Sequence, residues 1–194
     1  MGNGLSEKHG QALVKAARRT IEDKLSVKKE GSETDDAALS DPVMQEKHGV
    51  FVTLTINGQL RGCIGYLEGR EPVVDAVRHN AANAAFGDPR FPPLKASELE
   101  DLDIEVSILT DPKVLEYRDS SDLLAKLAPG IDGVIIRSGL SSATFLPQVW
   151  EQLPGKEEFL SHLCLKAGLP SNAWAKGTLE VLTYRVRYFE ERKE

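Results

Sequence analysis

Gly49-Val50-Phe51-Val52-Thr53-Leu54-Thr55-Ile56-Asn57-Gly58-Gln59-Leu60-Arg61-Gly62-Cys63-Ile64-Gly65 is the stretch on which the fold of this chain turns. Val50 to Ile56 is rich in β-branched residues, Asn57-Gly58 is the dipeptide of a tight hairpin turn, and Leu60 to Gly65 returns as a second strand. Two registers compete. A two-residue loop sets Cys63 opposite Val52 and Arg61 opposite Leu54; one residue more sets Cys63 opposite Thr53 and Arg61 opposite Thr55. Turn chemistry favours the first. Patterning favours the second, which gathers Val52, Leu54, Ile56, Leu60 and Ile64 on one face and spares Arg61 burial without a partner. The second is the expected register, and in either one Arg61 and Cys63 share a face.

Outward from the hairpin, Glu7 to Leu25 has apolar Leu13, Ala16, Ala17, Ile21 and Leu25 at helical spacing, and Lys28 to Pro42 reads as an exposed connection. A second helix spans Pro72 to Phe86, with a small-residue face of Val73, Val77, Ala81, Ala84 and Ala85 suited to close approach to a sheet. Asp88-Pro89-Arg90-Phe91-Pro92-Pro93 must be an extended loop, since its three prolines forbid helix. Leu102 to Leu109 alternates as a half-buried strand, and Ser121 to Leu127 is a short helix. Gly133 to Arg137 and Ala143 to Leu146 form a hairpin across Ser138 to Ser142. A helix over Glu157 to Ala167 stops at Gly168, and Leu179 to Phe189 closes the chain as one long strand. Hairpins with interspersed helices make an α+β fold, a mainly antiparallel sheet flanked by helices. One domain over 1–194 is expected, its segment 1–42 helical.

With 194 residues, 41% hydrophobic and 28% charged, the chain can bury a substantial core. A formal net charge of −6 argues against a nucleic-acid binder, leaving RNA only a local groove of Arg61, Arg90 and Arg137. Two cysteines are too few for a disulfide scaffold, so a cytoplasmic location is expected, and no apolar run reaches the roughly 18 residues of a membrane span. The four histidines lack zinc spacing, and no phosphate loop or dinucleotide fingerprint is present, so neither metal nor cofactor is expected. Cys164, on the apolar side of its helix, reads as core.

Cys63 carries the chemistry. Gly62 and Gly65 remove side-chain cover beside it, and Arg61 would favour the nucleophilic thiolate. A nucleophilic cysteine also needs a base within hydrogen-bond reach, for which His48 and His79 are the candidates. The other reading makes Cys63 a small hydrophobe packed where glycines let elements come close.

Gly49 to Leu54, Leu60 to Gly65, Asp88 to Pro93 and Phe145-Leu146-Pro147-Gln148-Val149 resemble, in order and spacing, the motifs of the AMMECR family over a core of residues 43–189. The resemblance implies a two-lobed α+β domain whose arginine-glycine-cysteine hexapeptide lines a cleft between lobes. It also implies company with a Memo-like protein and a radical S-adenosylmethionine enzyme, and candidate ligand-binding residues Gly62, Gly65, Asp88, Arg90 and Gln148. Asp88 and Arg90 either clamp a ligand or tie the proline loop to the hairpin. Gln148 either reads a ligand amide or satisfies backbone groups freed by Pro147. Ser138 to Thr144 departs from the family as a longer, serine-rich turn.

The leading functional expectation is an accessory or substrate-presenting module of a redox or modification system, with a cleft around Cys63 for a peptide or small acidic ligand. The alternatives are a cysteine-dependent enzyme with Cys63 as nucleophile or redox thiol, and an RNA-binding module.

Overall fold

The computed structural model describes residues 4–27 and 36–191. The chain divides into two compact units, residues 1–110 with 187–194, and residues 111–186. Each has its own four-stranded sheet. The strand pairs are antiparallel, so the class is α+β as expected, with two sheets where the sequence suggested one.

In the first unit the strands are β1 (Gly49–Ile56), β2 (Gln59–Tyr66), β3 (Leu102–Leu109) and β8 (Val186–Glu190), in the order β2-β1-β3-β8. Alternation sends Val50, Val52, Leu54, Leu102, Ile104, Val106 and Ile108 to one face, where all are buried. Against them pack α1 (Glu7–Lys24) and α3 (Val73–Phe86). Ser6 caps α1 by accepting from the His9 N–H while His9 Nδ1 accepts from the Ser6 N–H. The small face of α3 is buried as predicted. Gly10 lets α1 lie against Phe189, whose ring a Cβ at that position would meet at 1.9 Å.

Three sequence expectations change here. The connection from Lys28 to Pro42 lies partly outside the described residues, and its described part is not simply exposed: α2 (Asp36–Leu39) and a 3₁₀ turn (Pro42–Gln45) bury Ala38, Leu39 and Met44. The final strand is two strands, since β7 (Glu180–Tyr184) belongs to the second sheet and β8 to the first, with Arg185 between them. Uninterrupted alternation cannot reveal where a strand changes sheets. The hairpin turn at 138–142 shrinks to Gly139-Leu140 between β5 (Gly133–Ser138) and β6 (Ser141–Phe145), with Gly139 at φ 59°. Its serines are strand residues, so the expected long turn is absent.

The second unit orders its strands β4-β7-β5-β6, with β4 at Lys113–Val114. Its helices are α4 (Ser120–Lys126), α5 (Val149–Gln152) and α6 (Lys156–Lys166). Trp150 stacks on Phe159 at 3.6 Å between ring centres, and its indole N–H donates to the Asp132 carbonyl. Cys164 is fully buried in this core, and burial pushes its thiol up. No described helix is long and apolar enough to cross a membrane.

Candidate functional site

The hairpin carries both competing registers. At its tip Ile56 pairs with Gln59 and Thr55 with Leu60, the two-residue loop that Asn57-Gly58 demands. Beyond the tip Leu54 pairs with Gly62 and Thr53 with Cys63, the register that patterning demands. Arg61 is the extra residue of the β-bulge that joins them. Leu60 therefore leaves the expected core face and is 43% exposed.

The bulge takes Arg61 to Glu98. Its Nε donates to Glu98 Oε1 at 2.8 Å and its Nη2 to Oε2 at 3.2 Å, with only 12% of the Arg61 side chain exposed. These bonds hold the Glu98 carboxyl below its ordinary range. The guanidinium that reaches Cys63 is that of Arg90, which corrects the expectation that Arg61 attends the thiol.

Asp88 and Arg90 form a clip on the main chain of Cys63. The Cys63 N–H donates to Asp88 Oδ2 at 2.9 Å, and Arg90 Nη2 donates to the Cys63 carbonyl at 3.2 Å. Within the clip, Arg90 Nε and Nη2 donate to the two Asp88 oxygens at 3.0 and 2.7 Å, and the Arg90 N–H adds a third bond at 3.1 Å. The Arg90 hydrogen bonds, seconded by the Cys63 and Arg90 amides, hold the Asp88 carboxyl well below the usual range despite its burial. Asp88 raises Arg90 in return. The Asp88 side chain is 2% exposed and that of Arg90 54%. The ion pair lies within the proline loop, and the loop is tied to the hairpin by the two main-chain hydrogen bonds at Cys63.

Because the Cys63 N–H and carbonyl turn outward to the clip, its pairing with Thr53 is the close kind without mutual hydrogen bonds. The Thr53 hydroxyl donates to Cys63 Sγ at 3.4 Å. Across the next strand Thr53 pairs with Glu105, so Cys63, Thr53 and Glu105 form a row on the face opposite the helices of the first unit. Ser107 Oγ donates to Glu105 Oε1 at 3.0 Å. Burial pushes the Glu105 carboxyl up, and Glu190 adds to the effect. Sequence reasoning missed Thr53, Glu98, Glu105 and Ser107 as site residues. The alternation of Leu102–Leu109 was the signal for two of them, since it places Glu105 and Ser107 away from the core.

The remaining candidates lie elsewhere. A Cβ on Gly62 would come 2.1 Å from the Ala84 carbonyl oxygen of α3, so the bare side of Gly62 faces a helix. At Gly65 the nearest atoms to such a Cβ are the Val50 carbonyl oxygen at 2.3 Å and the Phe51 ring at 2.4 Å. His48 is buried, five residues before Thr53, about 17 Å along an extended strand, with Nε2 3.0 Å from Glu46. His79 is exposed, and its Nδ1 lies 2.8 Å from Glu71, which also accepts from the Tyr66 hydroxyl at 2.5 Å. Gln148, exposed in the second unit, precedes α5, and its carbonyl accepts from the Glu151 N–H.

A model of the AMMECR1 family matches residues 14–189. A protein of Methanothermobacter thermautotrophicus is 43% identical over 192 residues, spanning 96% of each chain. One of Methanopyrus kandleri is 41% identical over 199 residues, spanning 98% of this chain and 92% of its own. The crystal structure of an uncharacterized protein from Pyrococcus horikoshii superposes with a TM-score of 0.81 at 38% identity, covering 97% of this chain and 94% of that one.

Proposed function

The chain belongs to the AMMECR1 family, and from that premise we propose that it is an accessory, substrate-presenting module that receives a peptide or small acidic ligand beside Cys63. One observation carries this reading. The Arg90 guanidinium is fixed on Asp88 and on the Cys63 carbonyl, yet 54% of its side chain remains open to solvent. A pre-positioned guanidinium next to a half-buried thiol suits a carboxylate, which it grips through its planar fork of donors. The system it serves is taken to be one of redox or protein modification, with a Memo-like protein and a radical S-adenosylmethionine enzyme as partners, on the family resemblance alone.

The test is binding of short fluorescent peptides with free C-terminal carboxylates, compared with the same peptides amidated, by anisotropy. The expected result is binding of the carboxylates only, lost in Arg90→Gln. Equal binding of both sets, or of neither, would remove the reading.

A second reading, a cysteine-dependent enzyme, is favoured by the Thr53 hydroxyl donated to the sulfur. It predicts that Cys63→Ser ends any turnover while the protein stays folded. An RNA-binding role loses part of its groove, since Arg61 is committed to Glu98.

A further inference from the structure

We infer that the ligand of this site is the C-terminal tail of a partner protein, bound as a short strand antiparallel to β2, with its penultimate residue paired to Gly65 and its terminal carboxylate on Arg90. This rests on the reading that Arg90 receives a carboxylate, and it adds how the rest of the ligand is held.

The edge of the sheet supplies the main-chain partners. Strand β2 is the last of its sheet, so one side of its backbone has no neighbouring strand. The Cys63 N–H and carbonyl point to that side, where Asp88 and Arg90 take them. In an antiparallel ladder such outward groups recur at every second residue, and the register is regular from Thr53 with Cys63 to Phe51 with Gly65. The Gly65 N–H and carbonyl therefore point the same way, about 7 Å further along the edge. No described residue hydrogen-bonds to either of them.

The order of the two clip residues sets the direction of the ligand. Along β2 the Cys63 N–H lies toward Gly62 and its carbonyl toward Gly65, so Asp88 stands on the far side and Arg90 on the side of the open main chain. Arg90 uses Nε and Nη2 on Asp88 and Cys63, which leaves Nη1 without a partner among the described residues. A strand paired at Gly65 with its carboxyl end toward Arg90 runs against β2. In that direction the residue opposite Gly65 exchanges both main-chain hydrogen bonds with it. The next residue ends the chain, and its carboxylate meets the Nη1 donors.

A chain end fits here and an internal segment does not. A strand that continued would need the Cys63 N–H and carbonyl, which the clip already occupies. The side-chain preference follows from Phe51, whose ring lies 2.4 Å from where a Gly65 Cβ would stand. Residues paired across strands share a face, so the penultimate side chain is directed to the face of that ring, which favours an apolar one.

The experiment uses the full chain and short fluorescent peptides of one sequence with leucine at the penultimate place, read by anisotropy. The parent peptide has a free carboxylate; the others are its amide and two N-methylated forms, one at the penultimate amide and one at the terminal amide. The penultimate N–H points to the Gly65 carbonyl and the terminal N–H away from β2. Methylating the first is expected to weaken binding by about tenfold or more, and methylating the second by less than about threefold. Hydrogen exchange of the Gly65 amide, followed by NMR, should slow by about tenfold with the parent peptide at about ten times its Kd. The two methylations acting alike, or an unchanged Gly65 amide, would overturn the added strand and leave the carboxylate on Arg90 standing. An amidated peptide as tight as the parent, or no binding at all, would remove both this inference and the reading beneath it. A concentration-dependent dimer of the chain that the peptide dissociates would give the edge to a second copy and overturn its assignment to a partner's tail.

Discussion

Replacing Gly62 by alanine tests whether the glycine of the hexapeptide serves a ligand or the fold. The added methyl carbon would lie 2.1 Å from the Ala84 carbonyl oxygen and 3.0 Å from its carbon, against an ordinary contact of at least 3.4 Å. Helix α3 or strand β2 must therefore give way by at least 1.3 Å, the difference between those two distances. Neither can do so freely. Val73, Val77 and Ala81 of the helix are 0% exposed, Ala84 and Ala85 nearly so, and the main chain of Cys63 next door is held by Asp88 and Arg90. Overpacking of this kind costs about 1–3 kcal/mol, and a backbone obstacle belongs at the upper end. For a chain of this length that is roughly 3–10 °C in midpoint.

Thermal and urea unfolding followed by far-ultraviolet circular dichroism would read the loss. The two tryptophans, Trp150 and Trp174, sit in the core of the second unit, so their fluorescence reports that unit separately and shows how far it follows the first. A Gly62→Ala protein with unchanged stability but lost peptide binding would refute the packing account and return Gly62 to the role of a ligand-approach residue.

Glu98→Gln leaves Arg61 nearly buried without its carboxylate, and Arg61 Nη1 already has no hydrogen-bond partner among the described residues. A loss of about 2 kcal/mol in urea unfolding is expected, between the values for exposed and fully buried pairs. Asp88 and Glu98 both have folded-state values below their ordinary 3.8 and 4.5. Their stabilisation is therefore complete above those values and is lost as pH falls through the folded ones, so acid unfolding of the first unit should begin below about pH 4. In Asp88→Asn the Asp88 share of that acid slope should vanish while the protein starts less stable at pH 7; an unaltered acid profile would count against the clip. Cys164, buried and with its thiol pushed up, should resist alkylation until the second unit unfolds, and early modification would show that its helix opens locally.

Much of the first unit was legible because its signals are local. Alternation placed Leu102–Leu109 without error, and the small face of Val73–Phe86 was a sufficient sign of helix on sheet. The hairpin is more instructive. Turn chemistry and hydrophobic patterning each described one part of it correctly, and the bulge at Arg61 is how a chain satisfies two local demands that differ by one residue. No single-register reading can express that. For the same reason the partner of Arg61 was missed: a bulge re-aims a side chain, and Glu98 lies 37 residues away. Thr53 was visible as the partner of Cys63 in the preferred register. Its significance was not, because the distance from its hydroxyl to the sulfur exists only once two strands are side by side. The break at Arg185 escaped notice since both halves of the stretch have strand-like sequence.

Strand β2 ends its sheet, and a terminal strand with open amides and carbonyls is a template on which another chain can extend the ladder. At Cys63 a carboxylate oxygen stands where an incoming carbonyl would dock, and a guanidinium N–H where an incoming amide would. The two side chains counterfeit one residue of a neighbouring strand, and the prolines around them cannot continue it. The clip is thus a stop on sheet growth, and it lets the chain keep a glycine-rich edge strand without inviting copies of itself to polymerise along it.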